Sequence, residues 1–231
     1  MNHIKEYFKK IFCFENTYVI IGISAFSIFL SLVRFMVTGR PLFLFLIRNL
    51  FLALVPLFFS YMLFMSGTGS RRKNSVIFFL WIIFFPNSFY LITDIIHFGK
   101  GRLSAPLWYD MIMLLSYSLT GLLCGVTSLQ MIEEKFSGKF NRRTILLARW
   151  GFIYVSCFGI YLGRFLRWNS WDIFVNPFAL LRDVAKTIFF APEHLWVLEF
   201  TFLAGTLLNI SYYIVRKKSY ILLKKSESQR R

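Results

Sequence analysis

The sequence predicts an all-α, polytopic integral membrane bundle of six transmembrane helices in one domain. Three observations predict it. Of 231 residues, 57% are hydrophobic and 20% aromatic, and only 16% are charged, where a soluble domain is nearer 25% charged. Six apolar runs are long enough to cross a hydrocarbon core, which takes about 20 helical residues. The 27 Lys and Arg, set against 11 Asp and Glu, punctuate those runs and do not form one basic face. This composition excludes a disordered chain, and three cysteines do not make a disulfide scaffold. The net charge of +16 therefore reads as membrane topology. No nucleic-acid partner is expected.

The first span, Thr17–Val37, follows Lys5, Lys9 and Lys10, as a signal sequence would. It is too long for a signal h-region and lacks a small-x-small cleavage site, so a retained helix is predicted. The second, Leu42–Phe64, carries Arg48 and Asn49. Arg48 is seven residues past Pro41, roughly 10 Å inside the boundary at about 1.5 Å per residue. The third, Val76–Phe98, contains Pro86, which lacks a donor and predicts a kink. Asn87, Tyr90, Asp94 and His97 follow at spacings of 3, 4 and 3. That is one stripe of a helix, and in a membrane it should face protein or water.

The fourth span, Tyr109–Ile132, opens on Trp108-Tyr109-Asp110. Asp110, Tyr117, Gly121, Cys124 and Ser128 share one of its faces. The fifth, Ile145–Leu166, ends with Tyr161, Arg164 and Arg167 at three-residue steps. Gly121/Gly125 and Gly159/Gly163 are small-x-x-x-small pairs that let backbones approach closely; they predict helix four packed on helix five within one chain, with dimerisation as the alternative. In the loop Ser170–His194, Asn176 then Pro177 start a short interfacial helix. Its Phe178, Leu181, Ile188 and Phe189 would face the membrane, and Arg182, Asp183 and Lys186 would face water. Membrane anchoring is its simplest role; a lid over a polar site is the sharper one. The sixth span, Leu195–Val215, follows Glu193-His194 and carries Glu199.

Basic residues gather at the N-terminus, after helix two (Arg71, Arg72, Lys73), after helix four (Lys135, Lys139, Arg142, Arg143) and in the C-terminal tail. The bias places both termini in the cytoplasm of a multi-pass cell-membrane protein. The chain then divides into a basic N-terminus (1–16), a six-span domain (17–215) and a basic tail (216–231). The tail from Lys224 is expected to be disordered against the anionic inner leaflet. Membrane lipids are the expected partners; a protein partner and the oligomeric state stay open. Cys124 and Cys157 lie in spans and should be packed apolar groups, while Cys13 lies in the N-terminal segment.

One end of the bundle collects Asp94, Asp110, Asp172, Glu193 and Glu199 with Arg34, Arg48, Arg164, Arg167, His97 and His194. Asp94, His97 and Asp110 are the candidate catalytic groups, as general acid, base or metal ligand. Asn87, Tyr90, Tyr109, Arg164, Arg167, Asn169 and Asp172 are the candidate binding groups. Arg164 and Arg167 either hold a phosphate or carboxylate with their planar forks or snorkel as headgroup anchors. Asp94 and His97, spaced i,i+3, suit a metal half-site with Asp110 or His194 as third ligand. Alternatively Arg48 forms a structural ion pair with Glu199 or Asp94. The cofactor is unknown.

Phe85-Pro86-Asn87 with Tyr90, Thr93-Asp94 and His97, then Trp108-Tyr109-Asp110, Ser118–Leu122 and above all Gly163-Arg164-Phe165-Leu166-Arg167-Trp168-Asn169-Ser170-Trp171-Asp172 resemble a bacterial membrane family catalogued as domain of unknown function 1361. The resemblance spans roughly 49–183. It implies a polytopic bacterial membrane protein and no established activity. Three functions stay open. One is an outer-leaflet site for an anionic lipid headgroup or phosphorylated substrate, with or without chemistry. The second is a non-catalytic membrane subunit whose charge cluster is structural. The third is a small-solute transporter, which the thinning of polar residues toward the cytoplasmic half disfavours. No nucleotide loop, GxSxG elbow, HExxH or CxxC occurs.

Overall fold

The structure is a computed structural model. It describes residues 2–66, 71–100, 105–189 and 194–229, with side chains for 17–66, 71–100, 105–189 and 195–217. The reading of Glu193, and those of the side chains of Cys13, His194, the basic N-terminus and the tail beyond Lys217, lie outside the described residues.

The described residues form α1 (Asn2–Thr38), α2 (Phe45–Met65), α3 (Arg71–Tyr90), a 3-10 segment (Leu91–His97), α4 (Leu107–Phe136), α5 (Arg142–Phe165), α6 (Asp172–Val175), α7 (Pro177–Phe189) and α8 (His194–Gln229). Six of these helical stretches are long and apolar enough to span a membrane: Thr17–Thr38, Phe45–Met65, Arg71–His97, Leu107–Phe136, Arg142–Phe165 and Leu195–Lys217. The all-α, six-span expectation holds. α8 runs on through the stretch expected to be disordered, as far as Gln229. Its Leu, Lys and Glu are good helix formers, and only Pro or Gly would stop it sharply.

Gly39 closes α1 at φ 65°, its N–H returning to the Phe35 carbonyl at 2.8 Å, the left-handed ending that glycine adopts without strain. At the start of α5, the Asn141 side chain accepts from the Thr144 N–H at 2.8 Å, a side-chain N-cap.

α4 is the central element and the most buried helix. α2 packs against both α3 and α4, α1 lies on α4, and α5 joins α3 to α8. Down α3, Trp81, Phe85 and Phe89 are buried at successive i,i+4 steps, with ring centroids 4.5 and 5.3 Å apart. They meet Val126, Leu129, Ile153, Cys157 and Tyr212. Trp81 Nε1 donates to Ser128 Oγ at 2.7 Å, and Ser128 donates to the Pro56 carbonyl at 3.2 Å. A single relay thereby joins α3, α4 and α2 at a depth where unpaired polar atoms are costly. Cys124 and Cys157 are buried and free, as apolar packing requires.

The glycine motifs are corrected in partner. A Cβ at Gly121 would crowd the Ser88 carbonyl and lie 2.8 Å from Leu91 Cβ, and one at Gly125 would crowd the Phe89 ring. A Cβ at Gly159 would lie 3.2 Å from Pro86 Cγ, and one at Gly163 3.3 Å from Tyr90. Both motifs therefore receive α3, not each other; α4 and α5 barely meet. The motif announces a close approach but carries no information on which helix approaches. α3 runs through Pro86 unbroken to Tyr90, and only then tightens to the 3-10 segment. Pro86 thus lies inside a continuous helix, and the change of helix type follows one turn later. Gly121→Ala should lower stability by about 1–3 kcal/mol, the usual range for overpacking, in detergent unfolding. Gly22→Ala, where nothing lies within 4 Å, should leave the midpoint unchanged or raise it slightly, since Ala is the better helix former.

Candidate functional site

The stripe Asn87, Tyr90, Asp94, His97 faces α5 and the loop after it. In a 3-10 segment side chains at i and i+3 eclipse, which brings Asp94 and His97 to one side; Asp94 Oδ1 and His97 Nε2 are 3.9 Å apart. Arg164 from α5 enters this stripe. Its Nη2 donates to Asp94 Oδ1 at 2.6 Å and to Thr93 Oγ1 at 2.8 Å; Nε donates to Thr93 Oγ1 at 3.0 Å. Nη1 lies 3.3 Å from His97 Nε2, and the guanidinium carbon sits 4.0 Å above the Tyr90 ring, a cation–π contact. The second carboxylate oxygen of Asp94 accepts from Asn49 Nδ2 at 3.0 Å. Asp94 has no exposed surface, and Arg164 is 9% exposed.

Asp110 belongs to a second, separate pair. Arg34 Nε and Nη2 donate to its two carboxylate oxygens at 2.6 and 3.2 Å, the bidentate fork that arginine favours. The guanidinium carbon is 4.4 Å from the Phe43 ring centroid. Tyr109 donates to the Leu30 carbonyl at 2.8 Å, tying α4 to α1. The remaining predicted residues do other work. Asn87 Nδ2 donates to Ser170 Oγ at 2.9 Å. Asp172 Oδ2 accepts from the Asn169 backbone and side chain at 2.6 and 3.2 Å, closing the turn into α6. Arg167 is exposed, at a left-handed φ of 63°.

Two expectations change. The single outer compartment resolves into two ion pairs with different partners. Arg48 is exposed and, among the described residues, pairs with neither Asp94 nor Glu199; its neighbour Asn49 reaches Asp94 instead, because consecutive helical residues point to different sides. Among the described residues no three His, Cys, Asp or Glu side chains group as metal ligands do.

Sequence reasoning missed Arg34 as the partner of Asp110. The signal was present: Ser24, Ser27, Ser31 and Arg34 repeat the 3-4-3 spacing of the α3 stripe, and all four are buried. It also missed the opposite end of the bundle. There Glu133 of α4 meets Arg149 Nε at 3.3 Å and Arg216 Nη1 at 2.6 Å, and polar residues do not thin out. An acid at the far end of a span was the available clue.

Fold and site define a multi-pass, all-helical membrane protein that neutralises its embedded charges in pairs between helices. The chain belongs to the family described as Protein of unknown function (DUF1361), which matches residues 48–210. No curated protein and no solved structure matches it.

Proposed function

We propose that this chain is a non-catalytic subunit of the cell membrane, with both termini cytoplasmic, whose outer charge network is a structural clamp. The observation supporting this reading is that both buried carboxylates are paired within the chain. Both oxygens of Asp94 and both of Asp110 accept hydrogen bonds from Arg164, Asn49 and Arg34 of the same chain, and neither carboxylate is exposed. A general base or a metal ligand must be reachable by substrate or ion, and the burial of both carboxylates favours a structural role. The clamp steadies the segment that follows α5. Trp168 Nε1 donates to Asp183 Oδ2 at 3.2 Å and Asn87 holds Ser170. This leaves Phe174, Phe178, Leu181 and Phe189 exposed on α6 and α7, an amphipathic surface suited to the outer-leaflet interface.

The test removes the pair as a unit. Membranes of cells carrying the folded Asp94→Asn/Arg164→Gln variant should match wild type in lipid composition. A lipid or phosphorylated species that accumulates with the variant, as it does when the protein is absent, would establish outer-leaflet chemistry instead. A second reading keeps anion binding but moves it to Arg48 and Arg167. Both are exposed at this end, and among the described residues neither is in an ion pair; they suit headgroup anchoring.

A further inference from the structure

The end of the bundle bearing the α2–α3 and α4–α5 turns holds a cavity of about 1120 Å³, large for a small-molecule site. It lies between the start of α3, the end of α4 and the start of α5. Its wall is aromatic and aliphatic: Phe78, Phe136, Phe140, Phe152, Ile132 and Ile145. Its charged lining is Arg71, Lys135, Lys139 and Arg149 against the one acid Glu133.

These cations differ in commitment. Lys135 is held by the Ser66 carbonyl and hydroxyl. Arg149 turns Nε toward Glu133 and lays its guanidinium over the Tyr212 ring at 4.9 Å, which leaves the edge of its terminal nitrogens for an anion. Arg71 and Lys139 are exposed, and Lys139 Nζ lies 5.9 Å from the Phe136 ring centroid. α3 and α5 both begin here, so two helix N-termini add positive partial charge beside the cavity. Thr144 lines it as well.

We propose that this cavity binds an anionic phospholipid. Its phosphate would sit among Arg71, Lys139, Arg149 and Thr144, and an acyl chain would lie along Phe78 and Phe152. An apolar wall beneath a cationic rim, at the end of membrane-spanning helices, matches a molecule that is itself apolar below and anionic above. By the distribution of Lys and Arg this end is cytoplasmic, where anionic lipids face the protein. The basic C-terminal tail is a poor occupant, because Lys224 and Lys225 repeat the sign of the rim. The site shares no residue with the paired charges at the other end, so it stands or falls separately from the subunit reading.

The experiment is native mass spectrometry of the full chain in neutral detergent, with phosphatidylglycerol and phosphatidylcholine of identical acyl chains. Phosphatidylglycerol should be retained preferentially. Arg71→Gln/Lys139→Gln, at exposed positions, should weaken that retention about 30-fold, at roughly 1 kcal/mol per surface cation. Ala148→Trp, which places a large ring in the cavity from an exposed position, should abolish it. Equal retention of both lipids would overturn the proposal. So would phosphatidylglycerol retention that survives Ala148→Trp, or occupancy by inorganic phosphate alone at the same concentration.

Discussion

Asp94→Ala should lower the stability of the detergent-solubilised protein by about 3–5 kcal/mol, the range for leaving one member of a buried pair uncompensated. Arg164 would then keep Thr93, His97 and the Tyr90 ring but no anion, in a site it cannot leave without opening the α3–α5 contact. Asn49 would lose its acceptor too. The companion Asp94→Leu/Arg164→Met removes both charges. Because a buried pair is often replaceable by apolar groups of similar volume at little net cost, the double variant should recover most of the loss. Unfolding midpoints of the wild type, the single variant and the double variant check this. A double variant no better than Asp94→Ala would mean that Asp94 acts through more than its pairing with Arg164.

Arg34→Ala should cost about as much, roughly 3–5 kcal/mol, and its effect should be localised. Arg34 joins α1 to α4 through Asp110 and covers Phe43, while α1 touches α2 little. Loss of the fork leaves α1 held by Ser27–Ser116 and Ser31–Tyr117, at 2.9 and 2.8 Å, by Tyr109 on the Leu30 carbonyl, and by the packing of Ile20 and Leu30. Hydrogen exchange should therefore rise in the last turns of α1 before it rises in α3. Combined with Asp94→Ala the two losses should add within about 0.5 kcal/mol, as they do for sites without shared partners. A coupling above about 1 kcal/mol would mean that the two pairs act as the single compartment that the distribution of charges along the chain suggests.

Much of the fold is legible along the chain. The span boundaries follow from apolar length, and the helical α7 from Asn176, Pro177 and the alternation after them. The stripe on α3 is also legible: its 3-4-3 spacing calls for protein on that side, and Arg164 of α5 lies against it. The partner of each charge was not. Arg48 and Asn49 are adjacent in sequence, yet one is exposed and the other reaches Asp94, a difference made by helix rotation about its axis. Gly121/Gly125 and Gly159/Gly163 each announced a close approach, and each was assigned to the wrong neighbour, because a missing Cβ is the same whichever helix fills the space.

The sequence by itself determined that this is a six-span helical membrane protein with acids and bases gathered at one end of its spans and basic loops at the other. Hydrocarbon thickness sets the length of every apolar run, and the cost of charge in lipid sets where Lys, Arg, Asp and Glu can stand; both are read along one dimension. Only the tertiary structure decided that α3 lies between α4 and α5, that Asp94 takes Arg164 while Asp110 takes Arg34, and that the open cavity lies at the basic end. A charge in the membrane must find a partner. Which of several opposite charges at one depth it finds depends on the order and rotation of neighbouring helices, and these are set by the packing of Trp81, Phe85, Phe89 and the small residues of α4 rather than by hydropathy.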